Sequence, residues 1–154
     1  MAPAGSITGS RHSTRAGKIM TKAEIEANIR KFYSARVAGN VQEILDVMAT
    51  DVHFVLAGNP EASPVARRLR GADKLHPHVT ELVQAFKFNA YEIVSLVVEG
   101  PNAAVHARAN VTSMVNGETV DTDLADFFTF EDGRIATFVQ FCDTALAGKL
   151  ATKA

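Results

Sequence analysis

Residues 118–142 read ETVDTDLADFFTFEDGRIATFVQFC, and the alternation within this stretch decides the fold. Side chains on a strand point to opposite faces in turn. Between Glu118 and Phe130 the even positions are Thr122, Leu124, Asp126, Phe128 and Phe130, so a mostly apolar set faces a core. Asp121 and Asp123 fall at odd positions, on the wetter face. Between Ile135 and Cys142 both parities are largely apolar, Phe138, Gln140 and Cys142 alternating with Ile135, Thr137, Val139 and Phe141. Such a strand needs cover on both sides, by a helix or by a second copy of the chain.

Working upstream, Tyr91 to Val98 and Ala103 to Val115 are β-rich runs, joined to each other by Gly100-Pro101-Asn102 and to the next run by Asn116-Gly117. Asn-Gly is the strongest hairpin signal in the chain, since both turn positions require positive φ. With the Asp132-Gly133 turn, four runs make an antiparallel meander. Within Ala103 to Val115, Val105, Ala107, Ala109 and Val111 are expected inward, and His106, Arg108, Asn110 and Thr112 outward.

The first half has helical periods instead. Thr21 and Glu24 have capping-box spacing, and Ile25, Ile29, Phe32 and Arg36 form a stripe closed by Gly39, which predicts a helix over 22–38. Asn40 and Glu43 open a second, shorter helix whose buried side holds Val41, Ile44, Leu45 and Met48. Val52 to Leu56 reads as a strand, and Ala57 to Gly71, with Gly58, Pro60 and Pro64, as a long irregular connection. Leu75, Val79, Leu82, Val83 and Phe86 make a third helical stripe. Pro77 interrupts it and predicts a one-turn lead-in followed by a restart. Asp143 can cap a terminal helix through about Lys149. The resulting order is α-α-β-α-β-β-β-β, an α+β arrangement in which helices cover one face of a curved antiparallel sheet. Such a cone has an apolar pocket at its mouth.

The chain has 154 residues, 47% of them hydrophobic, and a net charge of −1. One domain over 21–150 with a single core is expected, since folding at this length removes roughly 70% of the chain's surface from water. Residues 1–20, MAPAGSITGSRHSTRAGKIM, are rich in Ser, Gly and Ala and carry no acidic residue, so a disordered extension is expected there. The near-neutral balance argues against nucleic acid as a partner, and no run of about 18 apolar residues predicts a membrane span. The single cysteine, Cys142, allows no internal disulfide and fits a reducing, cytoplasmic compartment. His76 and His78 flank Pro77 at i, i+2, which points them apart, so no metal site is expected.

Asp126 is the one carboxylate on an apolar face. Burying an ionised Asp without a partner is costly enough that the group raises its pKa and sits neutral, able to donate a hydrogen bond. That makes it a candidate general acid or oxyanion stabiliser. Its alternative is an Asp tied to a backbone amide or to one of Arg67, Arg68 and Arg70.

Three stretches, IRKFYSARVAGNVQEILDVMATDVHFVLAG, RGADKL and DFFTFEDGRIATFVQFCDTA, resemble the SnoaL-like and ketosteroid-isomerase-like branch of the nuclear transport factor 2-like superfamily, polyketide cyclases included. The resemblance covers about residues 21–150. A homodimer through the outer face of the meander is expected from the apolar residues on both faces of Ile135 to Cys142 with His106, Arg108, Asn110 and Thr112 adjacent, and a small apolar ligand without a cofactor is expected in the pocket. The family's oxyanion-hole aspartate falls on Asp126, in ADFFTF. Its helix-one tyrosine falls on Phe32, with Tyr33 one residue later, and its general-base aspartate falls on Leu56. The resemblance therefore implies an isomerase-, cyclase- or dehydratase-type protein in which the ketosteroid isomerase mechanism itself is not expected. It places Asp126 and Tyr33 as the catalytic candidates and Phe32, Phe54, Leu56, Phe128, Phe138, Gln140 and Cys142 around the pocket. The alternative is a ligand-binding or dimerisation module of the same fold.

Overall fold

A computed structural model describes residues 17–154; the expected extension falls outside the described residues except for 17–20. Two of those four touch the domain. The Lys18 amide donates to Asp132 Oδ1 at 3.0 Å, and Met20 packs on the core.

Helix α1 is Lys22–Ala38. Thr21 Oγ1 accepts from the Glu24 amide and Glu24 Oε2 from the Thr21 amide, at 3.2 and 2.9 Å, so two of the orphan donors at the helix start are satisfied reciprocally. Gly39 ends the helix at φ 69°, a left-handed conformation cheap only for glycine. Ile25, Ile29, Phe32 and Tyr33 are buried along one face. Helix α2, Val41–Asp46, is capped by the Asn40 side chain. It stops short of Met48, which instead opens strand β1, Met48–Leu56.

Then follow β2 (Arg67–Arg70), α3 (Ala72–Ala85), β3 (Phe86–Glu99), β4 (Asn102–Ser113), β5 (Thr119–Glu131), β6 (Arg134–Cys142) and α4 (Thr144–Leu150). The sheet order is β2-β1-β6-β5-β4-β3. Strands β3 to β6 form the antiparallel meander. Strand β1 joins it parallel to β6, with Phe54 opposite Phe138 and Leu56 opposite Gln140, so the curved sheet is mixed rather than wholly antiparallel. Register shifts at Phe88/Ala90, Ile93/Ser95 and Thr129/Phe130 add the local bends that let the long strands wrap the helices. Helix α1 lies on β3, and α3 lies on β1.

Three local expectations change. The Ala57 to Gly71 connection contains a strand, because Arg67–Arg70 pairs antiparallel with β1 from Leu56 to His53. Helix α3 runs unbroken through Pro77. The proline sits in its second turn and removes one backbone bond, while fully buried Leu75 and nearly buried Val79 on either side hold the helix to the core. Finally, the tight turn with both residues at positive φ is Asp132-Gly133, at 51° and 80°, between the paired Glu131 and Arg134. At Asn116-Gly117 only the glycine is left-handed. Asn116 has another task, accepting from the Glu118 amide and donating to the Lys149 and Thr152 carbonyls, which ties that wider loop to the end of α4.

Candidate functional site

Strand parity holds throughout β5. Leu124, Asp126, Phe128 and Phe130 are buried, while Asp121 and Asp123 stand on the other face, bonded to Asn110 and Arg108. The register sets Asp126 between Val105 of β4 and Gln140 of β6. It has 0% exposure. Its Oδ2 accepts from the Tyr33 hydroxyl at 2.6 Å, and its Oδ1 has no hydrogen-bond partner among the described residues. Among the described residues no arginine pairs with it: Arg67, Arg68 and Arg70 lie on β2, at the edge of the sheet. Burial pushes the Asp126 carboxyl up to about 7, against the opposing pull of the Tyr33 hydroxyl and the facing Gln140 amide. Near neutrality this group is therefore divided between acid and carboxylate.

Tyr33 is held from its other side by Tyr91, whose ring stacks on it at 3.8 Å between centroids. The Tyr91 hydroxyl is buried with no hydrogen-bond partner among the described residues. Burial first, and the nearby Asp126 charge after it, raise the pKa of Tyr33 far above the ordinary phenol value. Burial raises that of Tyr91 as well. Both rings keep their protons at any physiological pH, so Tyr33 always has one to share.

Tyr33 also lines a cavity of about 110 Å³ together with Phe32, Phe54, Leu56, Phe138, Gln140 and Cys142. Asp126 and Phe128 do not line it. Both belong to the layer beneath: Phe128 packs edge-on against Phe32 and Phe138, at 5.8 and 5.2 Å, and Asp126 is joined to the cavity wall by its bond to Tyr33 and its pairing with Gln140. The difference lies along β5: the inward residues Thr122 and Leu124 line the cavity, whereas Asp126 and Phe128, further along the strand, lie against Tyr33 and Phe32 of α1. Phe54 stacks on Phe138 at 5.2 Å, and Leu146, Ala147 and Leu150 of α4 close the cavity from above.

Three more residues with polar chemistry belong to the site or its wall. Arg36, one turn after Tyr33, lines the cavity with its guanidinium 4.0 Å over the Phe88 ring. Asp143 stands exposed at the cavity's edge with its Oδ1 accepting from the Leu146 amide. His78 lies behind Phe54, edge to face at 6.0 Å; burial and then Arg67 lower its pKa, so it is neutral. The Cys142 thiol is pushed up by burial and by Asp143 and Asp126, which makes it a poor nucleophile. Among the described residues no group of three or more His, Cys, Asp or Glu side chains could hold a metal ion, and no helix is long and apolar enough to cross a membrane.

Arg36, Asp143 and Tyr91 are the site residues that sequence periodicity does not reveal as such. Arg36 reads as the end of a helical stripe and Asp143 as a helix cap. Tyr91 carries no signal beyond its place in a β-rich run. One sequence clue pointed at Arg36, since a charge ending an apolar stripe must either leave the core or be satisfied inside it.

A family model described as a SnoaL-like domain matches residues 29–138. Among solved structures, the chain is similar to a candidate isomerase from Rhodopseudomonas palustris, with TM-score 0.72 and 17% identity over 86% of this chain and 98% of that one. An NTF2-like protein from Burkholderia xenovorans LB400 aligns with TM-score 0.69 and 18% identity over 86% and 99%. An epoxide hydrolase of the LEH-like type from M. tuberculosis aligns with TM-score 0.65 and 16% identity over 84% and 94%. No curated protein matches. At these identities the likeness establishes the fold, on which many unrelated chemistries are built.

Proposed function

Because the chain belongs to the SnoaL-like domain family, whose fold encloses a cavity here, we propose that it is a cofactor-independent acid/base enzyme of the isomerase, cyclase or dehydratase type acting on a small apolar carbonyl compound. The observation that carries this reading is the Tyr33–Asp126 pair, a cavity-lining phenol backed by a buried carboxyl whose pKa is about 7. When Asp126 is neutral it can donate to the Tyr33 oxygen, and Tyr33 can then turn its own proton to a substrate carbonyl. Charge developing on that oxygen is stabilised in surroundings of low dielectric, where a preorganised donor is worth most. Gln140 orients the same oxygen from the neighbouring strand. The family's tyrosine position is Phe32, which packs against other rings. Its neighbour Tyr33 supplies the phenol, because one residue turns the side chain about 100° round the helix.

The position of the family's base is Leu56, an apolar wall residue. The acid half of the chemistry is thus built into the protein, and the carbon-bound proton passes to water. Leu56 is also the observation favouring the second reading, a ligand-binding module without catalysis.

Proton exchange separates the two. Full-length protein is incubated with 2-decalone in D2O and loss of the α-proton signals is followed by NMR. Exchange above the buffer rate that is lost in both Tyr33→Phe and Asp126→Asn supports the enzyme. If 2-decalone raises the melting temperature by mass action but exchanges no faster than in buffer, the binding module is correct.

A further inference from the structure

Arg36 has no part in the chemistry above, yet among the described residues it is the one cationic side chain on the cavity wall. Its Nη2 donates to the carbonyls of Leu82 and Phe86, at 3.3 and 2.8 Å, and its plane lies over Phe88. These contacts hold the guanidinium in one orientation. They use Nη2 alone, so the N–H groups on Nε and Nη1 have no protein acceptor among the described residues. No carboxylate pairs with Arg36 among those residues either. Asp143, also charged, is exposed at the cavity's edge, with its Oδ1 accepting from the Leu146 amide.

A partly buried charge beside apolar walls is disfavoured without a counter-ion, and proteins ordinarily supply one. The contacts of Arg36 are the Leu82 and Phe86 carbonyls and the Phe88 ring, with no acid among them. Burial lowers the pKa of Arg36 only to about 10, so the cation persists at neutral pH. A fixed guanidinium with spare donors at an apolar wall is the arrangement that binds an anion attached to an apolar body.

We propose that Arg36 anchors the acidic group of the ligand, so that the cavity takes apolar monocarboxylic acids. Arg36 and Tyr33 are one turn apart on the same face of α1, about 4.5 Å along its axis. One short ligand can therefore touch both, its carboxylate on Arg36 and its carbonyl, where it has a second one, toward Tyr33. A carboxylate is favoured over a phosphate ester because a single cation neutralises a single charge, leaving no second one to desolvate. This assignment names the ligand class of the same cavity and so rests on its reading as a small-molecule pocket.

The test compares two probes of one shape, 3-phenylpropanoate and the uncharged 3-phenylpropanamide, by isothermal calorimetry on the full chain at pH 8. The acid is expected to bind at least about ten-fold tighter, each such factor being 1.4 kcal/mol. In Arg36→Met, which keeps a long apolar stem over Phe88, the acid should fall to the amide's affinity while the amide is unchanged. Should Arg36→Met fail to fold, the wild type supplies a second readout, the Arg36 Nε–H resonance, which must move with the acid and stay still with the amide. Equal affinities, a preference for the amide, a preference that survives Arg36→Met, or an unmoved Nε–H each overturn the anchor. Amide binding without acid preference would overturn it and leave the pocket reading intact, whereas binding of neither probe would overturn both.

Discussion

The hydroxyl of Tyr33, on the first helix, lies 2.6 Å from Oδ2 of Asp126, on the fifth strand, across 93 positions of sequence. This bond is the one hydrogen bond the Asp126 side chain accepts among the described residues. It couples the proton of a fully buried carboxyl to the wall of the cavity. It also sets what substitution at either end must do.

Asp126→Asn removes the ionisable group and keeps its shape. The carboxyl is raised from the ordinary aspartate value to about 7, so the native state holds the proton more tightly than the unfolded chain. The stability this contributes is fully present below about pH 4 and is lost as pH rises toward and through 7. Relative to the wild type the variant should gain steadily from about pH 4 upward and exceed it at pH 8, by an amount on the order of a few kcal/mol. Chemical denaturation across that range measures the difference. A deficit of the variant that grows with pH would show that Asp126 is instead stabilised as a carboxylate.

Tyr33→Phe takes from Asp126 the hydroxyl donor that lies 2.6 Å from its Oδ2. A buried polar group stripped of its partner costs about 1–3 kcal/mol. The Tyr33 bond favours the ionised acid, so its loss raises the Asp126 pKa further and the deficit should be larger at pH 8 than at pH 5. Urea midpoints of the variant at those two pH values check both the size and the direction.

Phe138→Ala should destabilise by about 3–5 kcal/mol, the usual range for truncating a large core aromatic. Phe138 is 1% exposed and its ring touches those of Phe32, Phe54 and Phe128, so the wall of the cavity and the packing beneath it loosen together. Thermal and urea denaturation at pH 7 provide the number, and a loss below about 1 kcal/mol would mean that the surrounding rings collapse into the gap.

A homodimer through the outer face of the sheet is the expected state. Val97, Ala104, Phe127 and Val139 align in one row across four strands. Phe127 is 48% exposed and Phe141 52%, with their rings edge to face at 6.0 Å. Contiguous exposed aromatics of this kind are characteristic of an interface. Light scattering at micromolar concentration should return the mass of two chains for the wild type and of one for Phe127→Glu. A monomeric wild type would rule the interface out.

Much of this architecture was legible in local pattern. Thr21, Glu24 and Gly39 bound the first helix where capping chemistry predicts. Alternation along β5 puts Asp126 inside and Asp121 and Asp123 outside, because a strand's side-chain period of two leaves no other choice once one face is apolar. What period cannot supply is the distance between elements. The sequence places a tyrosine and an arginine on one face of α1, but only the seating of that helix against β3 brings Tyr33 onto Asp126 and leaves Arg36 without a carboxylate. The unbroken α3 through Pro77, and the transfer of the tight two-residue turn from Asn116-Gly117 to Asp132-Gly133, are likewise decided outside their own segments. In the first, burial of Leu75 and Val79 outweighs one missing hydrogen bond; in the second, the carbonyls of α4 claim the Asn116 side chain. Sequence by itself determined which side chains face inward, since that depends on backbone geometry repeated from residue to residue. The tertiary structure decided which of them meet, since a hydrogen bond requires two groups to come within about 3 Å, a condition set by the packing of whole elements.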